Sequence, residues 1–448
     1  MLPTRPGFAQ VLTLPSITQA EYQISPNPNP ENGIISISTS DAVNKERFIN
    51  LGTINILSLG TLNNSGTLNN GGTDEEWFSS FATITNYGTL NNLYGGLLEL
   101  RFRFPITNYG TLNNLYGGIV SNGGILNNKG MLNNSGTIYN GTDNELNNHG
   151  TLNNLYDGQL NLGILNNKGV LNNSGTIHYD EGGQLNNYGT LNNLYGGIVS
   201  VRDNTTNNSG TLNNNGRMAL GSLLLNSGTL NNNGYIYVGW HYIENEGIYN
   251  SGTLNNNSNL EIWGNYIQTC SNARTTNNGT MLAPFHMYIN AGSLSGTGNT
   301  EGNVVIANGA SLNPGDSLGT FTIIGTLVSG GDIYFEISGL GNGEYDVLKI
   351  NGSATFNGGN VEFDFINGFH AKAGDYWNFL FADSLIGWGT LNLAMNGLGS
   401  GLNWEIIDIT GGKQLLITES QSVPEPATML LFGLGLMGLA GFRRKFLA

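Results

Sequence analysis

The residues of this chain that could do chemistry are few and scattered. Of 448 residues only 10% are charged, with 31 Asp and Glu against 16 Lys and Arg. Acids in the first half fall at Asp74-Glu75-Glu76, Asp143, Glu145, Asp157, Asp180-Glu181 and Asp203. A hydrolase or lyase acting on a glycan needs carboxylates converging on one bond, often with a cation. Asp157 and Asp180-Glu181 are the one set that neighbouring segments could bring together, and their spacing does not pair them. Five histidines, His149, His178, His241, His286 and His370, show no metal-ligand spacing. Cys270 is the single cysteine, so no intrachain disulfide can form, and no flanking residue would activate its thiol. The glycine-rich turns lack the following helix and the Lys-Ser/Thr of a phosphate loop. No catalytic residue, no metal and no cofactor is expected, and the chain does not read as an enzyme.

What recurs is a column of large side chains. Tyr87, Tyr109, Lys129, His149, Lys168 and Tyr188 each precede a turn glycine. A second column reads Tyr94, Tyr116, Gly136, Tyr156, Gly175 and Tyr195. Such lines of aromatics and cations could stack on the sugar rings of a polysaccharide. The plainer reading is that Tyr suits a β surface and that Lys between tyrosines gains cation–π contact.

These columns imply a repeating scaffold. From Ile125 to Ser200 one aliphatic position recurs at Leu132, Leu152, Leu171 and Leu191, with gaps of 20, 19 and 20 residues. A second recurs at Leu126, Leu146, Leu165 and Leu185, and a looser third at Ile138, Leu160, Ile177 and Ile198. Three short strands per coil, each turning one aliphatic residue inward, use about 20 residues. Leucine-rich repeats share this period but need a helical arm and an L-x-x-L-x-L spacing, which are absent. Gly and Asn favour turns because both tolerate φ > 0. The fold class is therefore all-β, a parallel β-solenoid. The first column extends back through Leu112, Leu90 and Leu68 and forward to Leu254. Ten coils at about 4.8 Å give a rod of roughly 45 to 50 Å. Asn pairs such as Asn133/Asn134 and Asn153/Asn154 should stack as amide ladders that brace the turns.

Four regions follow. Residues 1–46 are an irregular segment with a Pro/Asn-rich linker at 25–33. The repeats occupy 47–290, with a loop insertion at 71–82. A β region with longer alternating strands, acting as a cap, covers 291–420, and an apolar tail covers 421–448. Met1 to Ala20 lacks the apolar core of a secretory signal, and a start truncated from an upstream leader is expected. A formal charge of −15 and few clustered cations exclude a nucleic-acid partner.

Two stretches carry resemblances. Pro314, Gly315, Ser317, Gly319 and Thr320, followed by Tyr345, Asp346 and Leu348, resemble the turn and Y-D-x-L segment near the C-terminal end of autotransporter passengers. That likeness covers about 100 residues and implies a right-handed, extracellular β-helix, here without an outer-membrane barrel. The tail has Val423, Pro424, Glu425 and Pro426, then uncharged residues 427–442, then Arg443, Arg444 and Lys445. It resembles the PEP-CTERM sorting signal of Gram-negative bacteria. Sixteen helical residues span about 24 Å, and snorkelling of the basic cluster would let 427–442 cross a membrane as one transmembrane helix. Positive residues stay cytoplasmic, which leaves the body outside. The resemblance implies processing by an exosortase, an inner-membrane-anchored precursor, and a final place at the cell surface or outside the cell. It also implies an association with exopolysaccharide and biofilm. The expected function is a non-enzymatic structural or adhesive matrix protein. The rival is a carbohydrate-active β-helix enzyme, a lyase or hydrolase.

Overall fold

The computed structural model describes residues 22–420 and 433–437. It omits 30–33, 38–41, 46, 51–52, 57–60, 65–66, 71–82, 101–104, 203 and 240–245. The insertion at 71–82 therefore lies outside the described residues, as do Asp203 and His241.

The described chain is a parallel β-solenoid. Period-two alternation places Leu152 of Thr151–Asn154 against the equivalent residues above and below, so that Leu132, Leu152, Leu171 and Leu191 pair in one ladder. The other two columns belong to a second, larger sheet. Leu126, Leu146, Leu165 and Leu185 form one file, and Ile138, Leu160 and Ile177 form the other. All of these side chains are fully buried. Two expected members differ. Val199, not Ile198, pairs with Ile177, and Ile198 is 42% exposed. Both residues are apolar, so composition could not say which one faces inward. Likewise Leu62, not Leu68, precedes Leu90, while Leu68 pairs with Phe48 and Leu98 in the larger sheet.

Each repeat strand buries two side chains. In Thr151–Asn154 the burial alternates, with Leu152 and Asn154 inside. The second Asn of each pair is thus a core residue. Asn114, Asn134, Asn154 and Asn173 donate in turn through Nδ2 to the Oδ1 of the next, at 2.8 Å each. A parallel file runs through Asn108, Asn128, Asn148 and Asn167. The second amide proton reaches a backbone carbonyl one coil on, as from Asn128 to Thr151 at 2.9 Å. Every donor is satisfied, which is what makes so many buried amides tolerable. The half-buried partners form ladders of opposite polarity: Asn133 donates to Asn113 and Asn153 to Asn133, both at 2.9 Å. The two amide dipoles of each pair therefore oppose one another.

The repeat glycines are explained by close approach rather than by positive φ. A Cβ at Gly110, Gly130 or Gly150 would lie 2.1, 2.2 or 2.1 Å from the carbonyl oxygen of the glycine one coil earlier, and none of the three has a left-handed φ. Any side chain there would force adjacent coils apart.

Both sheets continue through residue 291 without a break, as Thr275 pairs with Leu294 and Leu294 with Leu312. The core changes from aliphatic to aromatic, with Phe335, Phe363 and Phe379 in mutual contact and Trp377 buried. The stack then ends in antiparallel pairing. Gly412–Glu419 lies between Tyr376–Ile386 and Leu402–Ile409. In the tail the described residues Gly433 to Met437 are helical. No helix among the described residues is long and apolar enough to cross a membrane. The rest of the span expected over 427–442 lies outside the described residues.

Candidate functional site

The first column occupies one corner, where the chain passes from the larger sheet to the smaller. The members from Tyr109 onward are held by an N–H bond to the preceding coil, as from Tyr109 to Asn86 O, Lys129 to Asn108 O and His149 to Asn128 O, all at 2.7 Å. Tyr87 and Tyr109 stack with ring centroids 4.8 Å apart and planes 6° from parallel. That is one coil step. Lys129 lies over the Tyr109 ring at 4.9 Å and donates to its hydroxyl at 3.2 Å. His149, Lys168 and Tyr188 continue the exposed line. The column is a contiguous surface feature whose first members are committed to each other.

The second column is not one register. Gly136 and Gly175 stack on Gly118 and Gly158, not on tyrosines. The tyrosines sit on longer L-Y-x-G turns, which add two residues to a corner that other coils turn with Ser-Gly. Tyr94 and Tyr116 occupy adjacent coils with centroids 6.5 Å apart. Tyr156 and Tyr195 follow at intervals of two coils, roughly 10 Å. Tyr195 is 93% exposed.

Acids are brought together in the C-terminal β region, away from every candidate site read from the sequence. Asp316, Glu336, Asp346 and Asp364 line a cleft of about 440 Å³ with Tyr334. Asp346 is 2% exposed and its carboxylate accepts two backbone bonds, from Gly319 N at 3.0 Å and Glu336 N at 2.8 Å. The Pro314-to-Thr320 turn and the Tyr345-Asp346 segment are therefore one tertiary unit, pinned by this side chain. Burial raises Asp346 to about 7, against the pull of the two N–H donors, and the charge of Glu336 adds to the rise. Glu336 is itself raised by burial and by Asp364, its partner on the adjacent strand. The passenger-like motifs named the 314–320 turn and Asp346 together, but no signal in the sequence joined Glu336 and Asp364 to them.

The remaining candidates do not converge. Asp157 is exposed in the turn after Thr151–Asn154, whereas Asp180-Glu181 falls in the bulged middle of Thr176–Asn187 at a different corner. The side chains of Asp180 and Glu181, and Asp74-Glu75-Glu76 entire, lie outside the described residues. No group of three or more His, Cys, Asp or Glu among the described residues could hold a metal ion. His286 stacks on Tyr288, and Cys270 is exposed.

The tail residues Val423, Pro424, Glu425, Pro426, Arg443, Arg444 and Lys445 also lie outside the described residues, but comparison with known families reads them directly. Residues 422–445 match the PEP-CTERM protein-sorting motif. PEP-CTERM motifs mark a chain for exosortase-dependent sorting to the cell surface, with a membrane-anchored precursor, as is typical of Gram-negative bacteria. A β-solenoid body suits an extracellular structural protein. No curated protein matches the chain.

Proposed function

We propose that this is an exported, non-enzymatic structural or adhesive protein of the cell surface or extracellular matrix, contacting exopolysaccharide along its exposed tyrosine and lysine columns. The match of residues 422–445 to the sorting motif carries this reading. In it, residues 427–442 hold the precursor in the inner membrane, Arg443, Arg444 and Lys445 stay on the cytoplasmic side, and an exosortase acts at the Pro424-Glu425-Pro426 segment. The body is a right-handed β-helix of the passenger type, a likeness that rests on the turn residues 314–320 and 345–348. Changing Pro424, Glu425 and Pro426 to alanine should leave the protein in the inner membrane by fractionation. Normal release of that variant would remove the sorting reading.

The acidic cleft favours a second reading, a carbohydrate-active enzyme, because carboxylates are the usual catalytic groups on such scaffolds. Against it, both oxygens of Asp346 are occupied by backbone donors. A Glu336→Gln variant that abolished hydrolysis or lyase activity on the host polysaccharide would establish the enzyme.

A further inference from the structure

The corner column changes character beyond Tyr188. Its next members are Ser209, Ser227, Ser251 and Thr269, each held by the bond its predecessors make: Ser209 N to Asn187 O, Ser227 N to Asn208 O, Ser251 N to Asn226 O and Thr269 N to Asn250 O. Four small hydroxyl residues thus follow six large ones. The step leaves a groove of about 460 Å³. It runs for three coil intervals, roughly 14 Å. Tyr188 stands at its N-terminal end, and the outward-facing Leu225 and Tyr249 line it beside the hydroxyls.

We propose that this groove binds a short run of a neutral oligosaccharide, an inference that rests on the surface-polysaccharide reading and gives it a site. Three observations select the ligand. Among the described residues the lining contains no charged side chain, so an ionic ligand would find no counter-charge there. Apolar surface from Leu225 and Tyr249, one file on neighbouring coils, lies beside the hydroxyl file that Tyr188 heads, which matches a sugar ring with its C–H face and hydroxyl rim. Ser209 and Ser227 commit their hydroxyls to no protein acceptor among the described residues, while the backbone at these coils is fully paired. A peptide could therefore not add as a strand, the usual way a sheet recruits one. A sugar needs only the side chains.

The test uses the full chain, titrated calorimetrically with cellohexaose, maltohexaose, mannohexaose and xylohexaose, and with an uncharged octapeptide as competitor. Ser227→Tyr fills the groove with the residue that the column already carries at Tyr109 and Tyr188, so the coil can accept it. Ser227→Thr keeps the hydroxyl. We expect at least one hexasaccharide to bind, Ser227→Tyr to weaken it at least about tenfold, and Ser227→Thr to leave it within about threefold. Binding that survives Ser227→Tyr unchanged overturns the groove and leaves polysaccharide contact elsewhere standing. Absence of binding to all four sugars overturns the groove proposal, and the polysaccharide reading then stands or falls on binding of the host polysaccharide along the tyrosine and lysine columns. Stronger binding of the peptide overturns the ligand class.

Discussion

At the scale of single residues, the second Asn of each repeat decides the character of the core. An amide inside an apolar stack is costly unless all its groups are paired. Asn134 accepts from Asn114, donates to Asn154 and reaches the Gln159 carbonyl. Asn134→Ala strips one ladder bond from each neighbour, the one Asn114 donates through Nδ2 and the one Asn154 accepts at Oδ1, at about 1–3 kcal/mol for each. Asn133→Ala breaks a half-buried ladder that water can repair, and should cost under about 1 kcal/mol. Urea unfolding of the two variants side by side checks this, and equal losses would refute the division into buried and wet ladders.

Asp346 makes a prediction of opposite sign to the usual carboxylate. Its folded pKa, about 7, is above the ordinary value of 3.8. The native state therefore holds its proton more tightly than the unfolded chain. The stability this contributes is complete below about pH 4 and is lost as pH rises through about 7. Glu336 is shifted the same way. Wild-type protein should unfold at higher urea at pH 5 than at pH 7.5, followed by tryptophan fluorescence. Asp346→Asn should flatten that dependence. A midpoint rising from pH 5 to 7.5 would contradict the assignment.

At the scale of elements, the coil was legible where one apolar residue stood alone at each strand position. Leu152 and Leu191 follow a Thr and had no rival neighbours, whereas Leu132 and Leu171 follow Met131 and Val170 and were picked out only by the phase of the column. It was not legible at Ile198-Val199, where two adjacent aliphatics compete, nor at Leu62 and Leu68, which carry the same T-L-N-N context in different sheets. The inward Asn was available from strand alternation, since Leu and the residue two beyond it share a face. Its amide chemistry pointed towards turns instead. The glycines, too, suggest φ > 0 by type, whereas Gly130 is required by a carbonyl 2.2 Å from where its Cβ would be. Contacts between coils are invisible in one coil's sequence.

At the scale of the whole molecule, the solenoid is nearly one-dimensional, with each coil touching mainly its neighbours. Deleting residues 151–210 joins Gly150 to Thr211, which occupies the same strand position as Thr151 through Val170 and Thr190. Three whole coils leave and every file stays in register. The product should fold, with its longest dimension by X-ray scattering shorter by roughly 14 Å. Deleting 151–165, which stops inside a coil, should break the stack at the join and unfold at a clearly lower temperature than the whole-coil deletion, followed by circular dichroism. Equal folding of both deletions would show that register does not govern assembly.

The period of the aliphatic residues settled that the chain winds into a β-solenoid, because burial repeats wherever the backbone completes a coil. The order of Pro-Glu-Pro, apolar stretch and basic cluster settled the tail, because a sorting signal is read as contiguous chain. The Asn pairs already implied amide ladders, but tertiary structure decided which ladder is buried and which way each one runs, and it alone decided the glycine contacts, the Asp346 clamp and the groove beyond Tyr188. Each depends on residues about 20 or more positions apart meeting across a spacing of about 4.8 Å, a distance set by backbone pairing.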